Sequence, residues 1–553
     1  MKSAHILPRE VTQAKLDKRA KAGQRHRASQ TYTLAERVEA SAVEFAQHPC
    51  IRYGDQQFSY SQANARMNQV AHAGHALGLR CGDVVALCME NRPAFLFAWL
   101  GLAKLGVKLV FLNTNVSGKP LVHAIESTGA KLILMGEECL GLLAATDTPA
   151  GLRYWLWPDA ENPAAAALRE RCELDFSQAM LQASESNPPV EWRAGLVAGD
   201  PALYIFTSGT TGLPKGCVQS HGDMLYTCAS FVPVAMGLQP DSVLLNFLPE
   251  FWIAGENAGL LFPVFSGCRL VLLARWDALA FMAAVQHYRV SHCGLLVDSA
   301  AEVLEHSDVS RYDFRSLRRT GSISFTKKLT RDYRERWREL TGCTLFEFSF
   351  GMTETHTCDT FTYGLQDDDF DLTSAPTFVG LPVPGTEFKV CDFTSGELLP
   401  LGSEGELCVR SPALMQGYWQ RPEESAAALK DGWLHTGDLG QITEQGFIRY
   451  LGRRKEMLKV NGMSVFPSEL EALLGQHPAL LASAVIGRPD AQRGQQPVAF
   501  VVLKPGSAED AQTLTAWCRD AMASYKVPEI RVVAALPMTA TGKVKKNELE
   551  NLL

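Results

Sequence analysis

The amino-acid sequence predicts an α/β fold: a large N-terminal domain of parallel sheets flanked by helices, a small β subdomain, and an α+β C-terminal domain. Three observations carry this expectation. Apolar strand-like runs alternate with helix-like runs early in the chain. Short strand-like runs separated by Gly and Pro occupy residues 387–411, and the rhythm changes again after residue 455. The length of 553 residues agrees, since single hydrophobic cores stop growing well before that size.

Val84–Met89 reads as a buried strand. Pro93 opens a helix that runs to Leu105, because proline's fixed φ suits the first helical turn, and Gly106 ends it. Val107–Leu112 is a second strand, followed by the helix–strand pair Leu121–Ser127 and Lys131–Met135. Residues 146–200 loosen into Pro-, Ala- and Asp-containing segments and read as a surface excursion. Strands resume at Ala202–Phe206 and Leu270–Leu273. Near the C-terminus, Ser468–His477 and Leu514–Tyr525 read as helices, with Ser483–Arg488 and Pro497–Leu503 as strands.

Several function classes are disfavoured by composition. With 53 Lys and Arg against 60 Asp and Glu, the net charge of -7 gives no global reason to expect nucleic acid. Fourteen cysteines stand singly, without CxxC spacing or a Cys/His cluster. That argues against a disulfide framework and a zinc site, and for a reducing compartment. The basic N-terminal arm, residues 1–30, lacks the apolar stretch of a secretory signal. Lys104, Gly106 and Lys108 interrupt the apolar run Ala94–Leu112, which falls short of a membrane span. A soluble cytoplasmic protein is the expectation.

The strongest chemical signal is the run from Thr207 to Gly216, TSGTTGLPKG, directly after the strand ALYIF. Glycines let backbone approach a ligand, and successive hydroxyls and N–H groups make a nest for an anion. Lys215 adds a positive charge suited to phosphate, yet the spacing is not that of a Walker loop. A flexible turn is the plain alternative for any Gly-rich loop.

This run resembles the phosphate loop of the adenylate-forming superfamily, which includes acyl-CoA synthetases, luciferases and peptide-synthetase adenylation domains. Further blocks follow in the family's order: FGMTE at Phe350–Glu354, GWLHTGD at Gly432–Asp438, GRRKEMLKVNG at Gly452–Gly462 with PSELE at Pro467–Glu471, YKVP at Tyr525–Pro528, and PMTATGK ending at Lys543. The resemblance covers roughly residues 55–553.

It implies an AMP-forming acid–thiol ligase. A carboxylic acid and ATP give acyl-AMP and pyrophosphate, and coenzyme A then takes the acyl group. ATP, Mg²⁺ and CoA are the small molecules implied, and a homodimer or a peripheral membrane contact is compatible with the resemblance.

The same resemblance assigns roles. Thr207, Ser208, Gly209, Thr210, Thr211, Gly212 and Lys215 hold the phosphates, and Thr207 and Glu354 take Mg²⁺, which prefers hard oxygen ligands. Phe350, Gly351 and Met352 lie against the nucleotide, Gly321 and Ser322 join that set, and Thr353 donates to the α-phosphate. Asp438 accepts from the ribose hydroxyls and Arg453 binds the ribose or phosphate. Lys543 neutralises charge on the carboxylate and α-phosphate during adenylation. The implied domains are 31–454 and a mobile 455–553, which rotates about Lys455 to bring Lys459, Asn461 and Gly462 to the thioester site.

The acyl group is less defined. In Asn246–Gly255, Trp252 stands where many relatives carry His, and the Asp that amino-acid-activating relatives use is not seen. Trp99–Val107 and Phe111–Asn115 are similar to the very-long-chain acyl-CoA synthetase branch, and other features to the carnitine-CoA ligase branch, so a fatty or medium-chain acid is expected. Glu250, Glu256 and Asn257 are alternative contacts for a polar or cationic acid, or else surface and helix-cap residues. An acyl-AMP enzyme with another acceptor and a silent ligand-binding member are the competing readings.

Overall fold

The computed structural model describes residues 32–144, 146–207, 214–325, 327–374, 378–538 and 543–553. Two seven-stranded, mostly parallel sheets form the large N-terminal part. In the first, Val84–Cys88 lies between Lys108–Phe111 and Leu132–Gly136, and Pro201–Phe206 continues the parallel order. Gly216–Ser220 then turns back antiparallel to Pro201–Phe206, so both ends of the Gly-rich loop meet at one sheet edge. In the second sheet, His292–Leu296, Arg319–Ile323 and Leu345–Glu347 run parallel in succession.

The predicted helix appears as Pro93–Ala103, with every residue buried. Its sequence, PAFLFAWLGLA, is apolar all round, as a helix in the middle of a core requires. Gly101 lets the helix Tyr60–Ala76 approach: an added Cβ would lie 2.6 Å from Val70. Lys104, read from sequence as a polar interruption, is itself buried. Its Nζ donates to Asn64, Asn68 and Asn187 at 2.6–3.1 Å and lies 3.4 Å from Glu39.

Residues 146–200 differ from expectation. Arg153–Trp157 pairs parallel to Leu132–Gly136 and buries four of its five residues, so this stretch completes the first sheet instead of leaving the body. The signal lies in RYWLW, whose aromatic and branched side chains suit a strand packed on both faces.

The small β subdomain is present as an antiparallel sheet that includes Phe378–Pro382, Glu387–Cys391, Glu404–Arg410, Trp433–Ile442 and Ile448–Arg453. A further five-stranded sheet contains Leu458–Val460, Met463–Val465, Leu480–Asp490, Gly494–Leu503 and Glu529–Val532. Helices Pro467–Leu474 and Ala511–Ala521 belong to this C-terminal part. Its two apolar clusters draw only on residues from Leu458 onward, so it has its own core. No helix among the described residues is long and apolar enough to cross a membrane.

Candidate active site

The antiparallel sheet supplies the first fixed point. Asp438 and Arg453 are register partners on adjacent strands, and Arg453 Nε lies 2.7 Å from Asp438 Oδ1. Asp438 is buried while Arg453 is half-exposed. Burial pushes the Asp438 carboxyl up to about 7, against the opposing pull of Arg453. The preceding backbone is held too: Gly437 N–H donates to Glu406 and Asp438 N–H to Thr436 Oγ1, both at 3.0 Å.

The second fixed point is the single helical turn Thr353–Thr355. It carries Glu354, whose Oε1 accepts the Tyr418 hydroxyl at 2.7 Å and whose carbonyl accepts Met415 N–H at 2.8 Å. Gln219 Nε2 donates to the Thr353 carbonyl at 2.8 Å. Gly351 is required by a close approach, since an added Cβ would meet the Thr357 carbonyl oxygen at 1.8 Å.

The Gly-rich loop is closed at its neck. Thr207 N–H donates to the Lys215 carbonyl at 2.9 Å, and Lys215 N–H to Thr207 Oγ1 at 3.3 Å. Ser208, Gly209, Thr210, Thr211 and Gly212 lie outside the described residues. Lys215 Nζ lies 3.9 Å from the centroid of the Tyr418 ring and 3.5 Å from Glu424.

Lys543 joins these elements from the C-terminal part. Its Nζ lies 5.4 Å from the Phe325 ring centroid, and its electrostatic neighbours are Arg453, Glu354 and Asp438. Burial and then Arg453 hold the Lys543 ammonium below its usual range, while Glu354 and Asp438 oppose that shift. Blocks separated by almost two hundred residues therefore meet at one place.

Other expected contacts sit less directly. Phe350 packs half-buried, its ring 5.9 Å from Tyr450 and 6.1 Å from Phe388. Met352 N–H donates to Thr355 Oγ1. Ser322 is buried and its hydroxyl donates to the Phe346 carbonyl, and a Cβ added at Gly321 would come within 2.3 Å of the Phe348 ring. Lys459, Asn461 and Gly462 lie on a hairpin whose backbone bonds go to Gln495 and Arg493 of the C-terminal sheet. Lys455 is exposed in the turn Arg454–Glu456.

Glu250, Glu256 and Asn257 are fully buried, which removes the surface reading. Glu256 lies 3.2 Å from His356 Nε2, whose ring Nδ1 is 3.0 Å from Thr227 Oγ1. Burial pushes the Glu250 carboxyl well above its ordinary range, opposed by an Arg92 backbone contact. Sequence reasoning did not find Tyr418, His356 or Phe325. The only available signal for Tyr418 was an aromatic residue in an otherwise ordinary GYW run.

Comparisons with known proteins identify the family. Residues 38–419 match the AMP-binding enzyme family and residues 469–543 the AMP-binding enzyme C-terminal domain. A feruloyl-CoA synthase from Amycolatopsis sp is 30% identical over 502 residues, covering 90% of this chain and 94% of the relative. A long-chain-fatty-acid–CoA ligase from Escherichia coli O157:H7 is 28% identical, covering 94% of each. The solved anthranilate CoA ligase AuaEII, in complex with anthranoyl-AMP, superposes with a TM-score of 0.81 at 26% identity, covering 94% of this chain and 97% of that one.

The chain belongs to the AMP-binding enzyme family, within the adenylate-forming superfamily that includes acyl-CoA synthetases. It is an AMP-forming acid–thiol ligase, an acyl-CoA synthetase.

Proposed function

We propose that the meeting of Lys543 with Glu354, Asp438 and Arg453 is the adenylation arrangement of this ligase, and that observation carries the reading. A substrate carboxylate oxygen attacks the α-phosphorus of ATP, the bond to pyrophosphate breaks, and acyl-AMP forms. Two anions must approach one another for this, and Lys543 supplies the charge that lowers their repulsion. Asp438 accepts from the ribose hydroxyls, which fixes the nucleotide, and Arg453 steadies the same end.

Glu354 and Thr207 offer the hard oxygens that suit Mg²⁺. Glu354 has one oxygen turned to Tyr418, and Thr207 retains acceptor capacity beside Lys215 N–H. Bound there, the ion neutralises phosphate charge. The other groups position and orient the substrates.

Thioester formation needs a second geometry. The CoA sulfur attacks the acyl carbonyl, the bond to AMP breaks, and the thiol proton leaves to solvent. Residues 455–553 are proposed to turn about Lys455, withdrawing Lys543 and presenting the Lys459–Gly462 hairpin. The small cluster Leu439, Leu451 and Phe466, with Phe393 and Met457, supports such a joint, because little apolar surface has to part.

For the acid, aromatic crowding supports a compact or planar acyl group. Trp252 and Phe325 pack 5.8 Å apart, with Lys543 over the Phe325 ring, and Phe348 fills the space over Gly294 and Gly321. These residues lie toward the carboxyl ends of parallel strands, where ligands of such sheets bind. The relatives acting on ferulate and anthranilate agree with this reading. A fatty or medium-chain acid is the second reading, favoured by the long-chain-fatty-acid relative.

Assaying pyrophosphate release and thioester formation across aryl, short-chain and long-chain acids, with and without CoA, tests the proposal. Aryl acids are expected to give pyrophosphate and CoA-dependent thioester. Preference for long-chain acids would favour the second reading, and pyrophosphate without thioester would point to another acceptor.

A further inference from the structure

The segment Met415–Trp419 runs alongside Gly216–Ser220, the strand that leaves the Gly-rich loop. Gln416 N–H donates to the Val218 carbonyl and Val218 N–H to the Gly417 carbonyl, both at 3.0 Å, and Trp419 N–H donates to the Gly216 carbonyl at 2.8 Å. Cys217 and Tyr418 form an antiparallel bridge within this ladder. At its other end, Met415 N–H donates to the Glu354 carbonyl. Tyr418 therefore sits between the loop exit and the turn that carries Glu354.

Both parts of the tyrosine are engaged. Its hydroxyl donates to Glu354 Oε1 at 2.7 Å, which leaves Oε2 as the other oxygen of that carboxylate. Its ring lies 3.9 Å from Lys215 Nζ, within reach of a cation–π contact. Tyr418 N–H donates to Ser425 Oγ at 2.9 Å, which fixes the backbone from which the ring projects. The side chain is 8% exposed, so water competes weakly for either contact.

We propose that Tyr418 is a positioning residue for the metal–triphosphate: its hydroxyl orients Glu354 towards Mg²⁺, and its ring seats Lys215 for phosphate. One side chain thereby sets the relative placement of a carboxylate for the metal and a cation for the nucleotide. The inference rests on the proposed roles of Glu354 and Lys215. The two contacts are separable by substitution.

The test measures pyrophosphate release against free Mg²⁺ and against ATP, for the full-length enzyme and three variants. Tyr418→Phe keeps the ring and removes the O–H. It should raise the Mg²⁺ concentration for half-maximal rate roughly 3- to 10-fold, with the KM for ATP at saturating Mg²⁺ within about twofold of wild type. Tyr418→Leu removes both contacts and should add a roughly 3- to 10-fold rise in that KM. Glu354→Gln shows whether the underlying reading holds, since it must shift the Mg²⁺ curve.

An unmoved Mg²⁺ curve in Glu354→Gln would remove the metal role on which the inference depends. A shift there, with an unmoved curve in Tyr418→Phe, would overturn the inference and leave the metal role standing. Lower melting temperature in Tyr418→Phe without a change in Mg²⁺ dependence would mark the hydrogen bond as structural and also overturn it.

Discussion

Asp438 shows how one side chain ties the nucleotide site to pH. Its carboxyl is raised from the ordinary 3.8 to about 7 because burial disfavours the charged form more than Arg453 favours it. The protonated form therefore persists up to about pH 7, and the anionic acceptor proposed for the ribose is lost below it. Binding of ATP should weaken by up to about tenfold per pH unit as pH falls below 7. Asp438→Asn should abolish that dependence and raise the KM for ATP roughly 10- to 100-fold, read from initial rates between pH 5.5 and 8.5. The sign for stability is the opposite. A raised carboxyl pKa contributes stability at low pH that is lost as pH rises from 3.8 through about 7. The melting temperature of Asp438→Asn should accordingly gain on wild type across that window.

At this scale the sequence named the residues that the fold brings together where they fell within a motif, and was silent where a contact depended on a distant neighbour. Asp438, Arg453, Glu354 and Lys543 were named from their motifs, and the fold brings them together. Lys104 looked like a solvated interruption but is buried, because Asn64, Asn68, Asn187 and Glu39 arrive from distant segments to satisfy its ammonium. Glu256 and His356 are one hundred residues apart in sequence, and no local spacing announces a pair at 3.2 Å.

Among elements, the hairpin Leu458–Val460 and Met463–Val465 carries the residues proposed to meet CoA. Asn461 and Gly462 have φ of +52° and +77°, so both central residues of the two-residue turn occupy the left-handed region. Asn-Gly is the pair best suited to this type I′ geometry, which matches the twist of the flanking strands. Gly462→Val places a β-branched side chain in that region, where it is strained whatever space surrounds it. Single-turnover measurements should show thioester formation from supplied acyl-AMP slowed roughly tenfold or more, with pyrophosphate release within about twofold. Equal slowing of both steps would separate the hairpin from CoA. The predicted strands and helices were right wherever period and punctuation agreed, as in Pro93–Ala103 and Gly494–Leu503. Arg153–Trp157 was missed because its neighbours are rich in Pro and Ala, and one short strand supplies too few residues for periodicity to register.

The whole molecule is organised as a large nucleotide-binding body and a C-terminal part with a separate core. Among the described residues, few hydrogen bonds span the joint. Ser468 Oγ donates across it to the Leu451 carbonyl, whereas Lys546 bridges Glu456 and Glu471 within the C-terminal part at 2.8 and 2.9 Å. Such a thin connection suits the proposed turning of residues 455–553, which would deliver Lys543 for one reaction and withdraw it for the next. The order of motifs made this organisation readable from sequence. The joint itself was less readable, since exposed charges such as Lys455 look alike in a hinge and on any surface.

The most direct test is to measure both half-reactions in Lys543→Ala, with pyrophosphate release reporting adenylation and CoA added to supplied acyl-AMP reporting the second step. Adenylation should fall by roughly 100-fold or more while thioester formation stays within about threefold of wild type. Equal loss of both steps, or full retention of adenylation, would contradict the two-geometry mechanism.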